Sequence, residues 1–397
     1  MSVKPINNFT FKLLKLLVRP VAFFKWQYRY KNTYKIKKGE SVVVLSNHQT
    51  DLDPLLIHLS FNKLLRTIAT DTIFKKGRMG NFIRRMGAIP KRKGVMDMGS
   101  LMEMIRICQS GQSLLFFPEG NRTYAEFQYY IADSIGKTIK KLGATLILFN
   151  IHGGTGRYPR FASKPRKGKF YGEIVKVMSY EEYNAMDDLE LSKLIIDTLK
   201  VFDSISGELY KSNKRAEYLE RMLFVCPKCG TPHKLISEGS VIRCEHCGLS
   251  VNYNEDLTLS SDDPDFKFKR LVEWYNYEKR WIKEYKIKPG EVIFKDSDIT
   301  LRTSNPNERS LLVSEGDITL TDTKLIFDKV SYDIKDISIA SPVSGRKFIF
   351  SINDKQYEVR GDKRFNPLKY VFMFNKLDTK MKLTGVDKYY TLEEEGK

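Results

Sequence analysis

The sequence predicts an α/β domain with a mixed sheet and flanking helices, followed by a small cysteine-bearing ribbon and an all-β barrel with a C-terminal helix. Three observations carry this expectation. Apolar strand-like runs at 42–45, 113–117, 144–151 and 170–177 alternate with helical patterns at 54–63, 99–110, 126–142 and 189–212, as in α/β layers. Two Cys-x2-Cys pairs follow, with fourteen residues between them. From Pro289 the texture becomes short alternating strands, ended by one apolar helix from Pro367 to Leu377. The expected segments are 1–40, 41–212, 213–253, 254–288, 289–380 and a tail over 381–397.

At 397 residues, with 42% hydrophobic and 29% charged residues, the chain has material for two or three globular domains. A net charge of +19 calls for a polyanionic partner, either nucleic acid or an anionic membrane. Segment 1–40 favours the membrane. Lys4 to Lys38 holds ten Lys or Arg and no acid, interleaved with Phe9, Phe11, Leu13, Leu14, Leu16, Leu17, Val18, Val21, Phe23, Phe24 and Trp26. Lys12, Lys15, Arg19 and Lys25 break any run approaching the ~18 apolar residues of a spanning helix. The expectation is a basic amphipathic helix bent at Pro20 and lying in the interface, with Trp26, Tyr28 and Tyr30 at headgroup level. The charged stretch and the lack of a small-residue cleavage site argue against a signal peptide. This places the protein peripherally on the cytoplasmic face of the cell membrane.

In the second segment, Val42 to Leu45 reads as a buried strand, and Asp53-Pro54 opens a helix with Pro at an allowed first-turn position. His48 thus falls on a strand-to-helix turn, where α/β proteins place catalytic groups. An imidazole there can take a proton from a hydroxyl. Asp53, five residues on, can fix its tautomer and stabilise the imidazolium; Asp51 is a competing orienter. No Gly-x-Ser-x-Gly is present, and Cys108 lies in an amphipathic helical run, so the nucleophile is expected to be a substrate hydroxyl. A second turn follows the strand 113–117: Pro118 ends the strand, Gly120 permits the turn, and Arg122 suits a phosphate. Residues 75–94 hold Lys75, Lys76, Arg78, Arg84, Arg85, Lys91, Arg92 and Lys93 without an acid, which suits anionic substrates.

These residues resemble the glycerolipid acyltransferases typified by 1-acylglycerol-3-phosphate acyltransferase. Asn47-His48-x4-Asp53 is similar to their first block, and Phe117-Pro118-Glu119-Gly120-Asn121-Arg122-Thr123 to their third. Gly87 to Arg92 matches the second. Ile147 to Gly154 matches the fourth less closely, with Leu148 in place of the usual Pro; Asn121 also replaces the more usual Thr. The resemblance spans about residues 20–200. It implies His48 as general base with Asp53 as partner, and Asn47 and Gly120 among the substrate-binding residues. It further implies Glu119 holding the acceptor, with Arg122 and Arg92 gripping its phosphate. The acyl donor would be a thioester of coenzyme A or acyl carrier protein. The acceptor would be 1-acyl-sn-glycerol 3-phosphate, giving phosphatidic acid, or alternatively another lysophospholipid or glycerol 3-phosphate.

Cys226, Cys229, Cys244 and Cys247 have the spacing of a tetrahedral zinc site, and Gly230 and Gly248 allow each knuckle to turn. Metal binding is expected to supply much of the ribbon's folding energy, with His233 and His246 as spectators. A helix over 189–223 is expected to lead into the ribbon, and the loop 158–169, with its Arg and Lys residues, to face solvent or a membrane. Phe266 to Tyr285 reads as an amphipathic helix whose Trp274 and Trp281 pack against a neighbouring domain. Nine short strands between 291 and 360, closed by the last helix, resemble the pleckstrin-homology/GRAM-like barrel. That barrel or the ribbon could bind a headgroup or a protein partner. A non-catalytic lipid- or nucleic-acid-binding protein is the competing reading.

Overall fold

The computed structural model describes residues 5–74, 78–91, 98–126, 128–305, 308–353 and 355–377. The chain divides into two compact units: residues 1–123, 127–155 and 169–203, and residues 124–126, 156–168 and 204–397.

The first unit is the expected α/β layer. Its strands are β1 (Tyr28–Tyr30), β2 (Val42–Ser46), β3 (Leu65–Thr70), β4 (Ile89–Lys91), β5 (Ser113–Phe116), β6 (Thr145–His152) and β7 (Phe170–Met178), in the order β1-β7-β6-β2-β5-β3-β4. Only β6 and β7 pair antiparallel, so the sheet is mixed. The β2 strand lies between β5 and β6 and is buried throughout, which is why Val42 to Leu45 is continuously apolar rather than alternating. The helices are α1 (Asn8–Pro20), α2 (Asp53–Ile57), α3 (Arg78–Arg85), α4 (Met98–Gln109), α5 (Ile135–Leu142), α6 (Gly154–Arg157, whose residues are divided between the units), α7 (Tyr180–Asn184) and α8 (Asp188–Thr198). One face of the sheet packs Val43, Leu45, Leu114, Leu146 and Leu148 against Ile107 of α4, Ile139 of α5 and Leu191 and Ile195 of α8.

Helix α1 begins at Asn7, whose side chain accepts from Thr10 N at 2.9 Å. After Pro20 it passes into a single π-turn over Val21–Lys25, closed by Trp26 N donating to Val21 O at 3.1 Å. Phe11 and Ala22 face inward, while Phe9, Leu13, Leu16, Leu17, Phe23 and Phe24 are exposed. Tyr28, expected at headgroup level, is buried within β1 instead. Among the described residues no helix is long and apolar enough to cross a membrane.

Two expected helices are shorter than their sequence patterns. The pattern over 126–142 becomes helical only at Ile135: Glu126 is left-handed at φ 62°, and the Tyr129 amide is bonded to a side chain. The helix expected over 189–212 and on to 223 ends at Thr198. Beyond it, buried Asp203 accepts from Gly153 N at 2.7 Å and Thr155 N at 3.1 Å, so tertiary bonds override helix propensity.

The second unit holds two sheets. The ribbon is β8 (Leu235–Glu238), β9 (Val241–Cys244), β10 (Ser250–Tyr253) and β11 (Leu259–Ser260), all antiparallel. Helix α9 (Leu271–Glu284) follows. Its Trp274 is buried and donates to Val225 O at 2.9 Å. Next come β12 (Val292–Thr303), β13 (Leu312–Thr321), β14 (Lys324–Phe327), β15 (Ser331–Asp333), β16 (Ile339–Ser344), β17 (Lys347–Ile352) and β18 (Lys355–Arg360), then helix α10 (Pro367–Leu377). The nine expected strands are seven. Bulges between Asp296 and Ile299, with Asp298 at φ 57°, let β12 continue where the sequence suggests a break. The sheet order β15-β14-β13-β12-β18-β17-β16 leaves β15 and β16 as unpaired edges among the described residues, so the sheet is not a closed barrel.

The loop 158–169 is not a solvated patch. Arg157, just before it, and Arg160 and Arg166 within it are buried, and of its cations only Lys164, Lys167 and Lys169 point outward. Arg160 stacks over Tyr124 at 3.8 Å and Arg166 over Tyr253 at 4.8 Å. Guanidinium groups tolerate such burial because their planar faces pack on rings while their edges reach carbonyls, here Pro342 O from Arg160 at 3.1 Å and Arg215 O from Arg166 at 2.7 Å.

Candidate active site

His48 leaves the end of β2, and Asp53 starts α2, so the intervening turn folds the carboxylate back under the ring. His48 Nδ1 lies 2.9 Å from Asp53 Oδ2. Asp53 is fully buried and also accepts from Gln49 N at 2.7 Å, from Thr50 N at 2.8 Å and from the Thr50 hydroxyl. Four donors on one carboxylate fix its position. Asp51, the alternative orienter, instead points to Arg122, with 2.8 Å between Oδ2 and the guanidinium. Phe117 stacks on the His48 ring, with centroids 4.0 Å apart and planes at 20°. Burial lowers the His48 pKa from its ordinary 6.5, outweighing the bond and charge of Asp53, which raise it. The free base therefore prevails at neutral pH. Any activity that depends on this base should fall only as pH drops through a value below 6.5, which a kcat/KM profile from pH 4.5 to 8 would reveal.

Glu119 was expected on the acceptor. In the folded chain it is 4% exposed, and its two oxygens accept from backbone: Oε1 from His48 N at 3.1 Å and Oε2 from Tyr129 N at 2.9 Å. The motif carboxylate thus ties the His48 turn to the segment after the third block. Burial raises its pKa to about 8, against the lowering effect of the two amide bonds. The folded state therefore holds a proton that the unfolded chain releases near 4.5. Its stabilisation is complete below 4.5 and is lost as pH rises through about 8. The fall in melting temperature between pH 5 and 8.5 is expected to be shallower in Glu119→Gln than in the wild type.

Asn47 is likewise held by backbone. It is buried, with Nδ2 donating to Ile151 O at 2.9 Å and Oδ1 accepting from Ile151 N at 2.8 Å. A primary amide can do both at once, so Asn47 extends the β2/β6 pairing past the end of the strands. Asn47→Ala strands both Ile151 groups, and a loss of about 1–3 kcal/mol is expected in urea unfolding. Next to it, Gln49 Oε1 accepts from Gly154 N at 2.8 Å. A Cβ at Gly154 would lie 2.6 Å from that oxygen, which explains the glycine of the fourth block. Gly120 turns at φ 65°, with its amide bonded to Phe117 O at 3.1 Å. Arg92 lies outside the described residues.

A small cleft opens beside His48, lined also by Gln49, Thr123, Gln128, Leu199 and Val201. Thr50, Gln49 and Gln128 were missed in the sequence. Thr50 carried a readable signal, a hydroxyl three residues before a carboxylate at a helix start. Gln128 carried none, because its place depends on the non-helical path after Glu119.

The second cluster lies in the ribbon. The sulfurs of Cys226, Cys229, Cys244 and Cys247 all lie within 4.8 Å of one another, with 3.6 Å between Cys226 and Cys247 and 3.8 Å between Cys229 and Cys244. Zn–S bonds of about 2.3 Å in a tetrahedron give sulfur separations of about 3.8 Å, so the four thiols fit such an ion. Gly230 at φ 68° and Gly248 at φ 76° donate to Cys226 O and Cys244 O at 2.9 and 3.0 Å, closing both knuckles. His233 faces Lys369 and His246 faces Thr231.

Residues 27–151 match the model of the acyltransferase family, a span that holds His48, Asp53, Glu119 and Arg122. A search of curated proteins finds no match. Among solved structures, the chain is similar to the 1-acyl-sn-glycerophosphate (LPA) acyltransferase PlsC from Thermotoga maritima. The two are 19% identical over 43% of this chain and 70% of that one, with a TM-score of 0.37. Through residues 27–151 the protein carries an acyltransferase domain.

Proposed function

We propose that this protein works at a membrane surface, transferring a fatty acyl group from a thioester to the free hydroxyl of 1-acyl-sn-glycerol 3-phosphate and so forming phosphatidic acid. The observation that carries this reading is the 2.9 Å pairing of His48 Nδ1 with a fully buried Asp53, inside the stretch matched by the acyltransferase family. Nδ1 donates to Asp53, leaving Nε2 to take the acceptor's hydroxyl proton. The hydroxyl oxygen attacks the thioester carbonyl, and the tetrahedral intermediate collapses with cleavage of the C–S bond. The departing sulfur takes the proton back from the imidazolium, so His48 ends the cycle neutral. Arg122, already partnered by Asp51, is the described cation for the acceptor phosphate, with Arg92 as the second. The donor is coenzyme A or acyl carrier protein.

The membrane is met through the exposed apolar side of α1 and its π-turn, on the cytoplasmic face. Zinc held by the four cysteines keeps the ribbon folded. The C-terminal sheet and its helix are a PH/GRAM-like module, available to a headgroup or a partner protein. The test is transfer of labelled acyl groups from both donors to a panel of lysophospholipids and glycerol 3-phosphate. Product with lysophosphatidic acid, and little with the others, is expected. Preference for another acceptor would overturn the assignment of substrate, and no transfer from either donor would overturn the reaction.

A further inference from the structure

Helix α1 has a second face, and it rests on the turn at the C-terminal end of α2. Phe11 is buried and meets the His58 ring edge-on, with centroids 5.7 Å apart. One turn later, Lys15 Nζ donates to Phe61 O at 2.6 Å. His58 ends α2, and both its ring nitrogens are engaged by backbone. Nδ1 bonds Pro54 O, and Nε2 lies 3.3 Å from Leu65 N and 3.1 Å from Leu65 O. One tautomer satisfies this arrangement: Nδ1 donates to Pro54, and Nε2 accepts from Leu65 N. Pro54 directly follows Asp53. The ring therefore ties the start of α2 to the start of β3, and Phe11 covers the ring from the α1 side.

We propose that His58 and Phe11 are positioning residues for acyl transfer: they seat α1 on α2 and thereby hold the Asp53 carboxylate in register with His48. The inference rests on the reaction proposed above. It makes α1 part of the active-site frame in addition to its outward apolar side. A carboxylate displaced by a fraction of an ångström no longer meets Nδ1 squarely, and such misplacement is felt in turnover more than in binding.

The test uses full-length protein and a short-chain lysophosphatidic acid kept monomeric in solution, so that membrane binding does not enter the rate. Phe11→Ala is expected to lower kcat about tenfold with KM within about twofold, and Phe11→Leu to recover most of the loss. Partition onto vesicles of phosphatidylglycerol and phosphatidylcholine should stay near the wild-type value. An NMR titration of the His48 Cε1 proton supplies a readout independent of turnover. Loss of the Asp53 bond lowers that pKa further in Phe11→Ala. If Phe11→Ala does not fold, Lys15→Met removes only the bond to Phe61 and is read in the same way.

Unchanged kcat and an unchanged His48 titration, with weakened vesicle partition, would overturn the inference and leave α1 as an anchor alone. If the wild type transfers to no acceptor, the proposed reaction fails. The His48 titration still decides whether Phe11 positions the pair.

Discussion

His48→Ala is expected to lower kcat for acyl transfer by about 100- to 10,000-fold, the range spanned by positioned general bases, while the protein stays folded. The geometry predicts this size because nothing else described in the cleft can replace the base. Glu119 is the other ionisable side chain lining it, and both of its oxygens are bonded to amides. The fold should tolerate the change, since the His48 backbone keeps its bonds to Glu119 and to Thr123 N, the latter at 3.0 Å. Asp53→Asn should be similarly damaging and less well folded. Asp53 collects donors from Gln49, Thr50 and His48, and an amide nitrogen turned toward any of them repels it. Steady-state rates alongside circular dichroism would check both variants. A His48→Ala protein with wild-type kcat would remove His48 from the mechanism.

Removing the proposed zinc should have the second large effect, and it should stay within the second unit. Structural zinc held by cysteine and histidine ligands contributes about 10–16 kcal/mol of apparent binding energy to small modules that do not fold without it. The ribbon is also a support for its neighbours. Beside Cys226, Val225 N donates to Glu278 at 2.8 Å and Val225 O accepts from Trp274, while Tyr277 reaches Cys226 O at 3.4 Å. On the other side, His233 Nδ1 lies 3.0 Å from Lys369 Nζ, which is itself paired with Asp296 at 2.6 Å. Chelation, or Cys229→Ser, should therefore deprotect β8–β10 and α9 in hydrogen exchange by orders of magnitude, with β2, β5 and β6 unchanged. Full protection of the ribbon after chelation, with metal loss verified by elemental analysis, would show that burial alone holds it.

The order of elements was legible because each left a local signature. The β2 strand holds an unbroken apolar run from Val42 to Leu45, α2 opens with Asp-Pro, and the ribbon announces itself through cysteine spacing. The His48–Asp53 pair was legible for the same reason, since both residues sit on one short turn. Long-range pairing was not. The sequence could not reveal that Asn47 would bond Ile151, or that Glu119 would bond the amides of His48 and Tyr129, because such partners are chosen by the sheet order. The same cause shortened two helices: Glu119 captured the Tyr129 amide, and Asp203 was drawn out to the amides of Gly153 and Thr155. Charge misled in one place. The Arg-rich loop read as facing solvent or a membrane, yet its arginines are interior, and only stacking partners brought together by the fold could show that.

The placement of β2 also has a consequence for biosynthesis. Its two neighbours are supplied late: Val43 pairs with Leu114, and Val42 with Thr145. At about 5–20 residues per second, roughly 5–20 s of translation separate the emergence of the His48 strand from that of its second partner. Until β5 is made, an apolar strand with two open edges is on the ribosome, and until β6 is made one edge stays open, ready to pair with another nascent copy. The wait ends only when β6 is made, which predicts that ribosome pauses within residues 50–145 would lower the yield of folded protein, whereas pauses after β6 would not.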